Sequence, residues 1–343
     1  MSRNLSAGAL FALLAACGPA PPKLSNATSL ACPFPGMLPF RLKSYDFVES
    51  ANKQLAAAEM TSKDQASDTL GLPTGARASV YLDDSSMPDG SAVDYHGEKA
   101  RTSPTQGLFS DPLPGENVSL WSYDGAAWQA LGRTLTDGNG VYDLPATNFV
   151  AANGTAVYSV LEGDSSCAAH YDYLWPAGTK FVVFDIDGTL TTSDNELILQ
   201  LTDESYTPMM MTAATTLVQT WAQKGYAIVY LTARPHVYRA ETRAWLAQLG
   251  FPSGPVITTN GTNDPQTYKT IWLNRMIGNF GWTAEAAYGN AVTDIGAYAA
   301  AGIATDVTFI IGPVGGQSGT VAIPNDDYTD HIASFVDAQP DAS

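Results

Sequence analysis

The sequence has few basic residues. It contains 17 lysines and arginines against 34 aspartates and glutamates, which gives a net charge of −17 at pH 7. Nucleic acids bind clustered positive charge, and anionic membrane surfaces attract basic segments. The composition offers neither, so we expect no nucleic-acid partner and no electrostatic adhesion to anionic lipid. The four histidines show no metal-ligand spacing, and we expect structural or surface roles for them.

Long apolar runs are also scarce. The run from Leu5 to Ala16 is too short to cross a bilayer, follows Arg3 and ends at Cys17, which is typical of an export signal. Its last four residues, Leu-Ala-Ala-Cys, resemble the bacterial lipoprotein signal. We therefore predict that residues 1–17 are a signal peptide with a lipobox and that Cys17 is lipidated. The protein would then be exported and lipid-anchored at the bacterial cell envelope, on the periplasmic or outer face; a non-lipidated secretory signal is the alternative.

Cysteine is rare, with three residues in 343. If Cys17 carries the anchor, only Cys32 and Cys167 remain. Exported compartments permit disulfide bonds, so we predict that Cys32 and Cys167 pair. Two free buried thiols are the alternative.

Changes in composition divide the remaining chain. Residues 18–35 contain several prolines and predict an extended tether. Residues 36–175 begin with a segment of helical composition and continue as short β-rich runs between Gly, Pro and Asp clusters, which predicts an antiparallel β-sandwich. Within it, Thr136-Asp-Gly-Asn-Gly-Val-Tyr142 predicts a hairpin connection. Residues 338–343 are predicted to be a disordered tail.

Strand and helix patterns alternate through residues 176–337. This alternation predicts an α/β domain with a doubly wound parallel sheet, whose ligands bind at the carboxyl ends of the strands. The apolar run Phe181–Phe184 predicts a buried strand, and Asp185 and Asp187 follow it directly. Residues two apart face the same way, so both acids can enter one crevice. Like charges so close repel unless a cation or a shared proton compensates.

More polar residues lie at other predicted strand ends and helix starts. They are Thr232, Lys269, Asn290 and Asp294. Together with the two acids they supply a carboxylate nucleophile, a hydroxyl, a cation and oxygen ligands, which is the inventory of phosphoryl transfer. Each has a structural alternative, such as a helix cap, a turn or an ordinary surface position. Arg234, two residues after Thr232, could form a surface ion pair.

Three stretches together resemble one superfamily. They are Asp185-Ile-Asp-Gly-Thr-Leu-Thr-Thr-Ser-Asp194, Leu231-Thr-Ala-Arg-Pro235 and Tyr288-Gly-Asn-Ala-Val-Thr-Asp294. They are similar to motifs of the haloacid dehalogenase superfamily of phosphohydrolases and, more narrowly, of the C-terminal catalytic domain of lipins, which are Mg²⁺-dependent phosphatidate phosphatases. The resemblance covers the chain from residue 176 onward and implies a Rossmann-like haloacid dehalogenase fold. The short gaps from Asp187 to Thr232 and from Thr232 to Lys269 leave no room for a cap domain, so we expect a capless, open site.

The resemblance also implies a role for each residue. Asp185 would attack phosphorus, and Asp187 would protonate the leaving alcohol and then activate water. The implied phosphate-binding residues are Thr189, Thr232 and Lys269. The implied magnesium ligands are Asp185, Asp187, Asn290 and Asp294.

The expected function is Mg²⁺-dependent hydrolysis of a phosphomonoester, phosphatidate to diacylglycerol, through an aspartyl-phosphate intermediate. The expected partners are a lipid phosphate substrate and the membrane, through the lipid anchor. One alternative is an envelope phosphomonoesterase for soluble phosphate esters. Another is a catalytically silent lipid-binding lipoprotein, because related lipin-like domains of lipid-transfer proteins have lost catalytic acids. Retention of both Asp185 and Asp187 favours an enzyme.

Overall fold

The computed structural model describes residues 61–64, 66–80, 93–102, 111–123, 128–146, 153–162, 167–202, 206–259 and 264–342. The predicted lipoprotein signal with Cys17, the predicted tether and Cys32 lie outside these residues. Within the described ranges, no helix combines the length and the apolar character needed to cross a bilayer.

Ten strands precede residue 176 in the described part of the chain, and we call them the β region. One sheet has the order β3-β2-β10-β9-β6-β7, and in a second β4 pairs with β1, β5 and β8. The strands are β1 (Thr61–Asp64), β2 (Thr69–Gly71), β3 (Arg77–Ser79), β4 (Val93–Thr102), β5 (Asp111–Pro112), β6 (Asn117–Tyr123), β7 (Trp128–Leu135), β8 (Val141–Ala146), β9 (Ala156–Leu161) and β10 (Cys167–Leu174).

The β region is not the antiparallel sandwich that the sequence predicted. β2 runs parallel to β10, which makes the larger sheet mixed. β7 lies against β8 and β3 lies against β4, so the two sheets curl into a half-barrel. The composition of single strands shows their existence, but the parallel pairing joins segments about 100 residues apart and leaves no local signal.

The predicted hairpin at 136–142 forms a turn only. Asp137 Oδ1 accepts hydrogen bonds from the backbone N–H groups of Asn139, at 2.8 Å, and Val141, at 2.9 Å. The strands that this turn joins, β7 and β8, belong to different sheets. The Asp-Gly-Asn-Gly pattern therefore predicted the turn chemistry correctly and the strand pairing wrongly.

A second group of strands forms a six-stranded sheet of order β13-β12-β11-β14-β15-β16, in which every pair is parallel. Its strands are β11 (Lys180–Phe184), β12 (Ala227–Pro235), β13 (Val256–Thr259), β14 (Thr283–Gly289), β15 (Thr308–Ile311) and β16 (Val321–Ile323). The described α-helices are α1 (Glu196–Thr202), α2 (Ala214–Gln223), α3 (Arg239–Gln248), α4 (Pro265–Asn274), α5 (Val292–Ala300) and α6 (Thr329–His331).

The two faces of the parallel sheet pack into different cores. Val182 and Phe184 of β11 face α2 and α3, whereas Phe181 and Val183 face α4 and α5. The second core also contains Leu70, Ala78, Val80 and Tyr173. Strands of the β region therefore complete the cover of that face, and both parts of the chain share one core.

The predicted fold class, a doubly wound Rossmann-like sheet of the haloacid dehalogenase type, is wrong. The helices are few, no described α-helix exceeds ten residues, and β15 connects to β16 without an α-helix. Part of the helical layer is replaced by the β region. Alternation of strand and helix patterns predicts a parallel sheet, but it cannot show which distant segment covers a face of that sheet.

Candidate functional site

The site is built around a buried pair of carboxylates that share one ammonium group. Asp185 follows β11 directly, Lys269 lies on α4, and Asp294 lies in the first turn of α5. Lys269 Nζ donates to Asp185 Oδ1 and to Asp294 Oδ1, each at 2.6 Å. All three side chains are at most 7% exposed, so little water screens these charges.

The start of α5 fixes Asp294. Its Oδ2 accepts hydrogen bonds from the backbone N–H groups of Asn290 and Ala291, each at 3.0 Å. A carboxylate there also complements the positive end of the helix dipole. Gly289 ends β14, and a Cβ atom at this position would lie 2.6 Å from Asp294 Cβ. The absence of a side chain at Gly289 therefore lets Asp294 approach the strand end.

Thr189 links Asp185 to Asn290. Its hydroxyl lies 3.1 Å from Asp185 Oδ2 and 3.5 Å from Asn290 Oδ1. Asn290 Nδ2 in turn lies 3.4 Å from Asp194 Oδ1. Gly188 adopts a φ of 69°, and a Cβ there would lie 2.0 Å from Asn290 Nδ2. A glycine is thus required for both the turn and the close approach.

Asp187 faces β12 and is held by an arginine. Arg234 donates from Nε to Asp187 Oδ2 at 2.9 Å and from Nη2 to Oδ1 at 2.7 Å, which is a bidentate pair. Thr232 Oγ1 lies 3.5 Å from Asp187 Oδ2. Arg234 Nη1 donates to Thr242 Oγ1 on α3 at 3.0 Å.

The sequence analysis did not recognise Arg234 as part of this site. Its side chain is 1% exposed, so the surface ion pair offered as an alternative is wrong. β12 continues through Arg234 to Pro235, and this places Arg234 on the strand that borders Asp187. The only sequence signal was its position two residues after Thr232.

Burial and neighbouring charges shift the proton affinities of the central pair. Burial raises the pKa of Asp185 above its ordinary value; Lys269 opposes this shift, and the negative charges of Asp294 and Asp187 add to it. Burial by itself would lower the pKa of Lys269, but Asp185 and Asp294 raise it, and the net shift is upward. Lys269 is therefore a cation at neutral pH.

A buried glutamate shapes the segment that follows the first acids. Glu196 Oε1 accepts from Thr192 Oγ1 at 2.9 Å and from Ser193 Oγ at 3.3 Å. Its Oε2 accepts from Tyr206 OH at 2.6 Å and from the Met209 backbone N–H at 2.8 Å. The four contacts hold Thr192 and Ser193, before α1, to Tyr206 and Met209, after it; the sequence analysis did not predict this role of Glu196.

Large apolar side chains are exposed on α1, just before α2 and near Asn290. They are between 40% and 59% exposed, although large apolar side chains usually lie inside. Four of them come before α2 in the chain, and the fifth, Val292, begins α5. The residues are Ile198, Leu199, Met209, Met210 and Val292. We call this set of exposed apolar side chains the apolar rim.

The predicted magnesium ligands come together at one edge of the sheet, but the three carboxylates among them are engaged by cations. Asp187 pairs with Arg234, and Asp185 and Asp294 both bind Lys269. Within the described residues, no group of three or more His, Cys, Asp or Glu side chains is arranged to hold a metal ion. Magnesium binding stays a prediction, as do the phosphate-binding roles of Thr189, Thr232 and Lys269.

Cys167, at the start of β10, is disulfide-bonded. The other cysteines of the chain, Cys17 and Cys32, lie outside the described residues. The pairing of Cys167 with Cys32 stays a prediction.

The geometry defines a class of site, in which acidic and basic side chains pair at the carboxyl edge of a parallel sheet. Comparison with known proteins adds a family likeness. Residues 182–312, which contain Asp185 through Asp294, match the family model described as the LNS2 domain of PITM 1-3.

Several curated relatives match more of the chain than the family model does. Protein retinal degeneration B of Drosophila melanogaster is 31% identical over 247 residues, 71% of this chain and 18% of that protein. Membrane-associated phosphatidylinositol transfer protein 2 of Mus musculus is 30% identical over 65% of this chain and 17% of its own length. Protein 3 of the same name from Homo sapiens is 28% identical over 65% of this chain and 23% of its length. The chain therefore spans less than a quarter of each relative.

One solved structure, titled "Structure of Pnkp1/Rnl/Hen1 complex", is 20% identical over 34% of this chain and 41% of its own, with a TM-score of 0.30. A likeness this weak supports no inference about fold or function.

These comparisons correct the family assignment. The matching family model is the LNS2 domain of PITM 1-3, and two of the relatives are named as membrane-associated phosphatidylinositol transfer proteins. The assignment to the haloacid dehalogenase superfamily and to lipins is therefore wrong. The lipoprotein and signal-peptide descriptions gain no support from them either. The physical reason is that short strand-end motifs determine a type of site, and different families can share it.

Proposed function

We propose that this chain hydrolyses a phosphomonoester of a lipid, with phosphatidate as the expected substrate and Asp185 as the nucleophile. The observation that carries the proposal is the buried contact of Asp185 with Lys269. A carboxylate fixed at a strand end can attack phosphorus, and the adjacent ammonium offsets the charge of the phosphoryl oxygens.

The proposed reaction has two steps. A carboxylate oxygen of Asp185 bonds to phosphorus while the bond from phosphorus to the ester oxygen breaks, and Asp187 gives its proton to the departing alcohol. Water then attacks the phosphoryl group on Asp185, Asp187 takes a proton from that water, and inorganic phosphate leaves. The net change is ester plus water to alcohol plus phosphate. For either proton transfer, Asp187 must release at least one of its hydrogen bonds with Arg234.

The surrounding hydroxyl groups have orienting roles in this proposal. Thr189 holds Asp185 Oδ2, and Lys269 holds Oδ1, so the carboxylate plane is fixed before substrate arrives. Thr232 borders Asp187 and offers a hydroxyl donor to a phosphoryl oxygen. Preorganised donors cost no reorganisation when the phosphoryl group moves.

The donor chemistry of the site fits Mg²⁺. Its oxygens are carboxylate and amide oxygens, the ligands that this ion prefers, and the acids outnumber the bases by two charges. The residues counted are Asp185, Asp187, Asp194 and Asp294 against Lys269 and Arg234. Because Lys269 occupies the space between Asp185 and Asp294, we expect Asp185, Asn290 and Asp194 to hold the ion. A bound magnesium ion would place further positive charge against the phosphate.

The apolar rim supports a lipid substrate. Exposed methionines and aliphatic side chains beside a polar crevice suit a molecule with a charged headgroup and apolar chains. The names of the matching relatives, membrane-associated phosphatidylinositol transfer proteins, support a phospholipid ligand as well.

A second candidate function is binding of a lipid phosphate without hydrolysis. It is favoured by the bidentate Asp187–Arg234 pair, which occupies both oxygens of the proposed proton donor. Two of the relatives are named as phosphatidylinositol transfer proteins, which is compatible with such a role.

The test is phosphate release by the full chain from phosphatidate in mixed micelles and from soluble phosphate esters, with Mg²⁺ or with EDTA. Asp185→Asn is the inactive variant, and Asp306→Asn, an exposed residue outside the site, is the control with the same charge change. We expect release from phosphatidate that Asp185→Asn and EDTA abolish and Asp306→Asn keeps. Preference for soluble esters would refute the lipid substrate. Retained binding of phosphatidate micelles with no release would refute hydrolysis and favour the second candidate.

A further inference from the structure

Asp68, far from the site in the sequence, joins three elements of the fold. Its side chain is fully buried and pairs with Arg243 of α3. Its Oδ1 also accepts from the Tyr171 backbone N–H of β10 at 3.2 Å, and its Oδ2 lies 3.4 Å from the Val256 backbone N–H of β13. A single carboxylate therefore connects the β region to a helix and to the edge strand of the parallel sheet.

A second buried arginine of α3 faces the same segment. Arg239 Nη1 donates to the carbonyl oxygen of Ala66 at 2.5 Å, and its Nε donates to Thr258 Oγ1 at 3.0 Å. Arg239 and Arg243 are one helical turn apart, so they lie on the same face of α3. The segment 66–68 thus fixes the rotation and height of this helix against the sheet.

The same helix positions the proposed proton donor. Thr242, next to Arg243, accepts the hydrogen bond from Arg234 Nη1 and donates to the Tyr238 carbonyl oxygen at 2.7 Å. The other two nitrogens of the Arg234 guanidinium hold Asp187. A shift of α3 therefore moves the guanidinium group of Arg234, and the Asp187 side chain that this group binds moves with it.

We propose that Asp68 is a positioning residue for Asp187, acting through Arg243, α3, Thr242 and Arg234. On this view the β region is part of the site's support and not an independent binding module. The match with the Drosophila protein covers 71% of this chain, more than residues 176–337 can supply, so that likeness also extends into the β region. The kinetic part of the proposal rests on the proposed hydrolysis; the positional part does not.

Asp68→Asn is the direct perturbation. It leaves Arg243 buried beside a neutral amide, which is a strong local destabilisation, so α3 should move toward a new partner for that charge. A displaced general acid–base residue costs a factor of about 10² or more in rate, and partial displacement costs less. We expect kcat to fall about 10-fold or more while KM changes less than about 3-fold, because the proton donor acts mainly in the transition state.

The deciding measurement does not need turnover. In the full chain labelled with ¹⁵N-arginine, the Arg234 Nε–H signal is assigned by its loss in Arg234→Lys. Asp68→Asn should shift the Arg234 signal as well as that of Arg243. The control Glu162→Gln removes one charge from the β region at an ion pair with Arg133, away from α3, and should leave the Arg234 signal unchanged. A moved Arg243 signal with an unmoved Arg234 signal would overturn the proposal.

A second variant and a measurement of kcat complete the test. If Asp68→Asn does not fold, Arg243→Lys keeps the charge and loses the contact with the Ala169 carbonyl oxygen; it should produce a smaller shift of the same Arg234 signal. An unmoved Arg234 signal in that variant would equally overturn the proposal. If the unaltered chain releases no phosphate, hydrolysis fails, yet the signals still decide whether Asp68 positions Arg234. If it does turn over, the double variant Asp68→Asn/Arg234→Lys should lose no more kcat than Arg234→Lys alone; additive losses would show independent roles.

Discussion

Asp172 provides a sharp test of the β region, because it is a fully buried carboxylate with a neutral partner. It lies on β10 and accepts a hydrogen bond from Tyr95 OH at 2.8 Å. Burial raises the pKa of Asp172 from 3.8 to about 7, and the hydrogen bond from Tyr95 opposes this shift only in part. The change to test is Asp172→Asn, since an asparagine oxygen can still accept from Tyr95 and carries no charge.

The sign follows from proton binding. Between pH 3.8 and about 7 the folded protein binds one more proton at Asp172 than the unfolded chain does, so the free energy of unfolding falls as pH rises through this window. Each pH unit corresponds to 1.36 kcal/mol, so the full window is worth about 4 kcal/mol. From pH 5 to pH 8, about 3 kcal/mol of this loss should appear in the unaltered chain and be absent from Asp172→Asn.

The assay is urea unfolding of both proteins at pH 5 and pH 8. The gain in stability of Asp172→Asn over the unaltered chain should be larger at pH 8 by about 3 kcal/mol. Asp306→Asn, an exposed residue with the same charge change, should show no such difference. Equal pH dependence of the unaltered chain and Asp172→Asn would refute the reasoning, because it would mean that Asp172 is not held protonated by burial.

Three further substitutions test the site. Lys269→Met leaves two buried carboxylates without their shared cation and should lower the free energy of unfolding in urea by about 3–5 kcal/mol. The control Lys180→Met removes a partly exposed ion pair at 4.0 Å and should lower it by less than about 1 kcal/mol. Similar losses in both variants would contradict the role of Lys269 as a buried ion-pair partner. Gly289→Ala puts a Cβ 2.6 Å from Asp294 Cβ and should cost about 1–3 kcal/mol, measured by thermal unfolding; an unchanged Tm would show that α5 moves freely. Glu196→Gln weakens the contacts of this side chain with Tyr206 and Met209, so limited proteolysis near these residues should accelerate; unchanged cleavage would show that Glu196 does not hold them.

Part of the site follows from the sequence by a simple rule. Strand ends of a parallel sheet meet at one edge, so Asp185 and Asp294 could be placed near each other from the strand pattern alone. The structure brings them within one ammonium group of each other, with Lys269 between them. The sequence therefore predicts that these side chains lie close together, because this depends only on the order of the strands and helices.

The contacts that depend on tertiary packing were out of reach. Arginine is usually exposed, so nothing local marked Arg234 as buried against Asp187. Asp68 lies in a short segment before β2, and its partners are about 100 to 190 residues away. The same limit applies to the sheet pairing of β2 with β10, which closes the β region. Each of these features depends on which distant segment packs at that place, and local sequence patterns do not indicate it.

Hydrolysis and simple binding differ at one point of this site. Both functions need a phosphate group near Lys269 and Thr232, but only hydrolysis needs Asp187 to exchange a proton. The bidentate pair with Arg234 fixes Asp187 as an acceptor of hydrogen bonds, and Thr242 fixes Arg234 in turn. A chain that only binds phosphate gains rigidity from this arrangement, whereas an enzyme must open it in every cycle. The freedom of the Asp187–Arg234 pair, which α3 and Asp68 control, is therefore the property that separates the two functions.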